Sequence, residues 1–146
     1  MKELLFRGRF KVNKFRWNGT PREYEFIESK THHISAIHFN NNGDISHVVI
    51  PYKDTCITLF PDYFTTFDIQ QYTGVKDKKG VRIFEGDVLE YSEEGYEYML
   101  NAKVVFDSGT FYAIGDDGGD YRIADLNKGT AIEVIGNIYD NSDLIK

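Results

Sequence analysis

The residues from 4 to 12 alternate in character: Leu4, Phe6, Gly8, Phe10 and Val12 fall on one side, and Leu5, Arg7, Arg9 and Lys11 on the other. This period of two predicts a half-buried strand with a cationic outer face. Asn13-Lys14 breaks the phase, Phe15 and Trp17 resume it, and Asn18-Gly19-Thr20-Pro21 is a turn signal, with a second strand predicted over residues 24–27. Residues 34–52 read as a hairpin about the loop at 40–44, with Pro51 ending or edging the ladder. Placing Asn40 opposite Ile45 sets Ile37 across from Val48 and His38 across from His47.

Further along, residues 55–59 and 64–72 carry weaker strand patterns separated by Pro61-Asp62. Asp77 is placed to close a turn with its side chain, Gly80 to end it with a positive φ, and Glu85-Gly86-Asp87 to form a second tight turn feeding a strand at 88–91. Residues 104–114 form a compact hairpin pattern in which a two-residue Ser108-Gly109 turn sets Phe106 opposite Phe111. A polar loop at 115–120, a short strand at 121–123 and a last strand at 132–138 follow. Residues 92–103 fit either a strand or one helical turn.

Strands recurring every ~8 to 12 residues, without a helix of three turns, predict a mostly β fold. The order in the second half, tight turn, strand, hairpin and short strand, predicts a small SH3-like barrel over residues 70–146. A β-rich region at 1–69 is expected to pack on it, though one continuous domain or two small barrels also fit the length of 146 residues.

Composition supports a packed core, since apolar residues make up 41% and aromatics 15%. A single cysteine, Cys56, excludes an intramolecular disulfide framework and a cysteine zinc cluster, and its place in Cys-Ile-Thr-Leu-Phe predicts a buried small hydrophobe. No stretch approaches the roughly 18 uncharged apolar residues that span a bilayer, and no signal-peptide order opens the chain. A cytoplasmic protein without membrane contact is the expectation.

Net charge is −6, a field that repels nucleic acid and anionic lipid. The distribution is uneven: residues 1–22 hold seven cations against one acid, giving +6, so the remainder carries −12.

Three blocks in order resemble the YopX family of phage and prophage proteins. They are Gln71-Tyr72-Thr73-Gly74 with Asp77-Lys78 and Gly80, then Ile83 with Glu85-Gly86-Asp87, and finally Val134-Ile135-Gly136-Asn137-Ile138-Tyr139. Phe6-Arg7 also resembles the family's opening, although Gly8-Arg9 replaces the small, aromatic and acidic continuation. The likeness covers the second half well and residues 20–65 hardly at all. It implies a viral protein working in a bacterial host's cytoplasm, with barrel-like β architecture and a homo-oligomeric state. It brings no catalytic residues, so Tyr72, Thr73, Gly74, Asp77, Gly80, Glu85, Gly86, Asp87, Gly136 and Asn137 are expected to be structural.

The candidate chemistry is sparse. Glu85 and Asp87 are paired carboxylates, but a turn with glycine between acids more simply uses them to accept backbone amides. His32, His33, His38 and His47 lie within sixteen residues, and His38 facing His47 opens a metal site that lacks a third ligand. Asp116, Asp117 and Asp120 resemble a calcium loop only in composition, because position 127, where the bidentate Glu belongs, is Asn. No phosphate-cradling loop or nucleophile elbow exists. The chain is therefore read as a non-enzyme without cofactor, catalytic residue or metal ligand. Its most function-like feature is the stripe Arg7, Arg9, Lys11, Arg16 and Trp17, which fits a strand lying against the protein's own acidic surface or that of a neighbouring subunit or protein partner, or alternatively nucleic-acid phosphates.

Overall fold

The computed structural model describes residues 4–93, 99–126 and 130–145. The described chain falls into two compact units, Leu5–Gln70 in one and Leu4 with the residues from Gln71 onward in the other. Both are built from antiparallel sheets, so the protein is mostly β. Among the described residues no helix is long and apolar enough to cross a membrane.

The first unit opens with β1 (Phe6–Val12), where alternation buries Gly8, Phe10 and Val12 and leaves Lys11 exposed. Leu4, assigned to the buried side by the pattern, lies before the strand and is exposed. The strand expected at residues 24–27 is instead α1 (Pro21–Glu28). Its start is a capping box: the Glu23 amide donates to Thr20 Oγ1 at 3.3 Å, the Thr20 amide donates to Glu23 Oε2 at 2.8 Å, and Pro21 takes the first helical turn. The helix buries Ile27 completely, with Tyr24 and Phe26 packed at the same core.

After β2 (His32–His33), the strands β3 (Ala36–Phe39), β4 (Ile45–Tyr52) and β5 (Thr55–Leu59) form a three-stranded sheet in chain order. Ile37 pairs with Val48 and His38 with His47, in the register read from the sequence. A bulge then puts Phe39, not Asn40, across from Ile45, because the Asn40 side chain leaves the ladder to accept the Asn42 amide at 2.9 Å and the Asp44 amide at 3.0 Å. Val48, Ile50 and Leu59 face the core, which forces Cys56 outward; it is exposed, contrary to the buried position expected for it. A 3-10 turn at Pro61–Tyr63 leads into β6 (Phe64–Lys76), which carries the chain into the second unit.

There β6 is followed by β7 (Arg82–Phe84), β8 (Asp87–Glu93), β9 (Met99–Asp107), β10 (Thr110–Gly115), β11 (Asp120–Arg122) and β12 (Thr130–Asn137). The last five make a sheet in the order β11-β10-β9-β8-β12, folded over a core of Ile83, Leu89, Val104, Ala113, Ile123 and Ile132. The β9–β10 hairpin turns on Ser108 (φ 49°) and Gly109 (φ 81°), the positive pair of a two-residue primed turn, and Phe106 sits opposite Phe111 with ring centroids 4.9 Å apart. Of the ambiguous segment 92–103, residues 92–93 and 99–103 are strand, and 94–98 lie outside the described residues. Ile123, expected to end a strand, starts the short helix α2 (Ile123–Leu126), whose Ile123 and Leu126 are buried.

Among the described residues no sheet closes into a barrel. The outer side of β12, which closure would pair with a strand, is held by the Asp77 turn: the Lys78 amide donates to the Ile132 carbonyl at 3.0 Å and the Val134 amide to Asp77 Oδ2 at 3.0 Å.

Candidate interaction surface

The cationic stripe divides in two. Arg7 and Arg9 are half-buried, and Arg7 Nε donates to Oε1 of the buried Gln70, whose amide in turn donates to Asp68 at 3.1 Å. Through that bond Arg7 is committed to the first unit's own structure. Lys11, Lys14 and Arg16 are exposed.

Between the last two stands Phe15, at 101% exposure the most solvated large apolar side chain described. It is held up by a hydrogen-bonded turn. Asn13 Oδ1 accepts the Phe15 amide at 3.1 Å, the Asn13 carbonyl accepts the amides of Arg16 and Trp17 at 3.0 and 2.9 Å, and the Asn13 amide donates to the Tyr63 carbonyl at 2.7 Å. Behind the turn, the half-buried Trp17 ring packs edge-on to Tyr63 (6.5 Å) and Phe64 (5.9 Å), while the Lys14 ammonium lies 5.2 Å from the Tyr24 ring centre. Trp17 Nε1 is buried without a hydrogen-bond partner among the described residues. Trp17 is therefore the backing of this surface and Phe15 its tip. The sequence pattern carried no signal for that exchange, since Phe15 and Trp17 share a phase and differ only in which one meets Tyr63 and Phe64.

The histidines separate into two pairs. His32 is buried, its Nε2 2.9 Å from the Ile27 carbonyl; burial pushes its imidazole below the usual value against the opposing pull of that hydrogen bond. His33 is exposed and pairs with Arg7 across β1 and β2. His38 and His47 stack with centroids 4.2 Å apart and planes 12° from parallel, and His47 also packs on Phe60. Parallel planes point the in-plane lone pairs side by side, so this arrangement does not converge them on one ion. Among the described residues no three His, Cys, Asp or Glu side chains gather as a metal-holding group.

Two of the acidic candidates, Asp87 and Asp117, are engaged by backbone amides. Asp87 is 1% exposed and its Oδ2 accepts the Phe84 amide at 2.8 Å. Gly86 between the two acids has φ 81°, donates to the Val104 carbonyl and accepts from the Ile138 amide, both at 2.9 Å. Asp117 accepts the Gly119 amide at 2.9 Å and the Tyr121 hydroxyl at 2.6 Å, and that hydroxyl holds its carboxyl below the usual carboxylate range. Glu133 is likewise held low by Lys78, at 2.8 Å, and by Lys79.

The motif residues form the second unit's framework. Asp77 Oδ1 accepts the Lys79 and Val81 amides at 2.8 and 2.9 Å, and the Gly80 amide donates to the Asp77 carbonyl at 3.0 Å. Thr73 Oγ1 donates to the Ile83 carbonyl at 2.8 Å, and the Tyr72 ring packs on Phe84 at 5.5 Å. Asn137 Oδ1 accepts the Tyr139 and Asp140 amides, both at 2.9 Å. At Gly136 an added Cβ would lie 2.4 Å from Asn141 Oδ1, so the close approach of that side chain requires glycine.

These features can be set beside known proteins. A family model described as YopX protein matches residues 6–146. Protein EF1440 from Enterococcus faecalis, a crystal structure, is 20% identical with a TM-score of 0.61, and YopX from Bacillus subtilis, also a crystal structure, is 18% identical with a TM-score of 0.65. Each likeness covers 100% of both chains, and at that identity it shows the shared fold. No curated protein matches the chain.

Proposed function

The chain belongs to the YopX family, and from that premise we propose that it is a non-enzymatic protein-interaction module that associates with further copies of itself, seating the Phe15 turn on an acidic, apolar-centred surface. One observation carries this reading: a fully exposed phenylalanine on a hydrogen-bonded turn between Lys14 and Arg16. Exposing an aromatic ring of this size to water is unfavourable unless a partner covers it, and a turn fixed in advance spares the partner much of the ordering entropy. The acidic complement is at hand. Residues 5–70 carry eight Lys and Arg against seven Asp and Glu, or +1, whereas the rest of the chain carries nine against sixteen, or −7. Attraction between unlike units is a head-to-tail contact.

Catalysis has no place in this reading, because Asp77, Asp87 and Asp117 already accept backbone amides. The finer architecture we propose is SH3-like in strand order without barrel closure, which the tight turn, strand, hairpin and short strand in succession support. We place its work in the cytoplasm of a bacterial host during phage growth, on the strength of the family's setting and the single cysteine.

Light scattering tests the reading. An oligomer at low salt that loosens at high salt is expected, and a strict monomer at high concentration contradicts it. The rival reading, nucleic-acid binding, draws on exposed Lys11, Lys14 and Arg16 beside the Phe15 ring. It requires retention on a filter at low salt that falls when Lys11 and Arg16 become Ala; no retention ends it.

A further inference from the structure

We propose that β5 is a self-pairing edge, joining two copies of the chain across a two-fold axis at Ile57. The inference shares with the reading above only the choice of a second copy as partner, and uses a different surface and different forces.

Exposed sheet edges invite pairing and are commonly blunted by charge, shortness, bulges or cover. Among the described residues the other edges show these devices. β2 has two residues, β3 carries the His38/Phe39 bulge, β7 begins with Arg82, β11 has Asp120 and Arg122 at its ends, and β12 is capped by the Asp77 turn. β5 has none: it reads Thr-Cys-Ile-Thr-Leu, without a charge, proline or bulge, and no described strand pairs with its outer side.

The hydrogen-bonding phase of β5 follows from its neighbour. Pro51, opposite Cys56, has no N–H, and the Val49 carbonyl, opposite Thr58, is taken by the Ser35 amide on the other side at 2.8 Å. Val49 and Pro51 therefore turn away from β5, and the ladder bonds fall at Val48–Leu59, Ile50–Ile57 and Tyr52–Thr55. The N–H and C=O groups of Cys56 and Thr58 are left facing outward. In an antiparallel two-fold pairing centred on Ile57, Cys56 of one copy meets Thr58 of the other, each pair exchanging both hydrogen bonds, and no like charges are brought together although the chain carries −6. A five-residue edge is small beside the ~1,000 Å² of a stable interface, so this dimer forms at high concentration and is insensitive to salt.

Cys56, the single cysteine and an exposed one, reports the register. The two sulfur-bearing residues then sit on a diagonal about 7 to 8 Å apart, too far for a ready disulfide but within reach of a short bismaleimide. The experiment cross-links the full chain at high concentration, as wild type, Phe15→Ala, Thr58→Pro and Thr58→Lys, with circular dichroism on each. Thr58→Pro removes only an outward N–H, and Thr58→Lys adds a charge to the edge, which decides the matter if the proline variant does not fold. Cross-linked dimer in wild type and Phe15→Ala, lost in the folded Thr58 variants, is the expected result. A dimer that survives Thr58→Lys overturns the pairing, as does no dimer from wild type whose Cys56 reacts with a monofunctional maleimide. Loss of the dimer in Phe15→Ala alone also overturns it, and assigns self-association to the Phe15 turn.

Discussion

Both oxygens of Asp77 are occupied, one by the amides of Lys79 and Val81 and the other by that of Val134 on β12. Removing the carboxylate orphans three amides at once, one of them on a strand edge. Asp77→Ala is therefore expected to lower unfolding free energy by about 3 kcal/mol, with Asp77→Asn, which keeps one acceptor oxygen, losing less; urea denaturation measures both. His32 sets a pH dependence. Its folded pKa lies below the ordinary 6.5, so the unfolded chain binds the proton first, and stability present above about pH 6.5 declines as pH falls toward the folded value. The thermal midpoint should drop on acidification through that window, and His32→Gln should flatten the drop. At this scale the Asp77 turn was legible because an aspartate before a glycine has a local partner to find. Cys56 was misread although its neighbours Ile57 and Leu59 had already claimed the inward phase.

At the scale of elements, hairpins declared themselves and helices did not. The His38–His47 and Phe106–Phe111 pairings follow from short loops that leave the register few choices. In α1, Tyr24 and Phe26 mimic a period of two, yet Thr20-Pro21-Arg22-Glu23 carried the capping box that decided for a helix. Thr20→Ala should cost about 1 kcal/mol, read as a lower midpoint in the same denaturation series. Barrel closure was not legible, because the side chain that caps β12 lies 57 residues away in sequence from the amide it accepts.

For the whole molecule, charge counted by residue number misstates the surface that the fold presents. The +6 of the opening residues is diluted to +1 across the first unit by acids such as Glu28, which accepts the Val12 amide at 2.7 Å, and Arg7 is drawn inward to Gln70. Of the opening cations, Lys11, Lys14, Arg16 and Arg22 are exposed, and Lys14 and Arg16 flank one aromatic tip. Family membership was legible from ordered turn motifs, since those are the residues that hold the second unit together. The tip was not legible, since a ring's exposure depends on which neighbours reach it. The central claim is that this tip binds a second copy, and sedimentation velocity on wild type and Phe15→Ala across a salt series tests it most directly. The account predicts wild-type assembly that weakens as salt rises and a Phe15→Ala variant that lacks this salt-sensitive component while keeping its fold. Sedimentation identical in the two proteins at every salt concentration would contradict it.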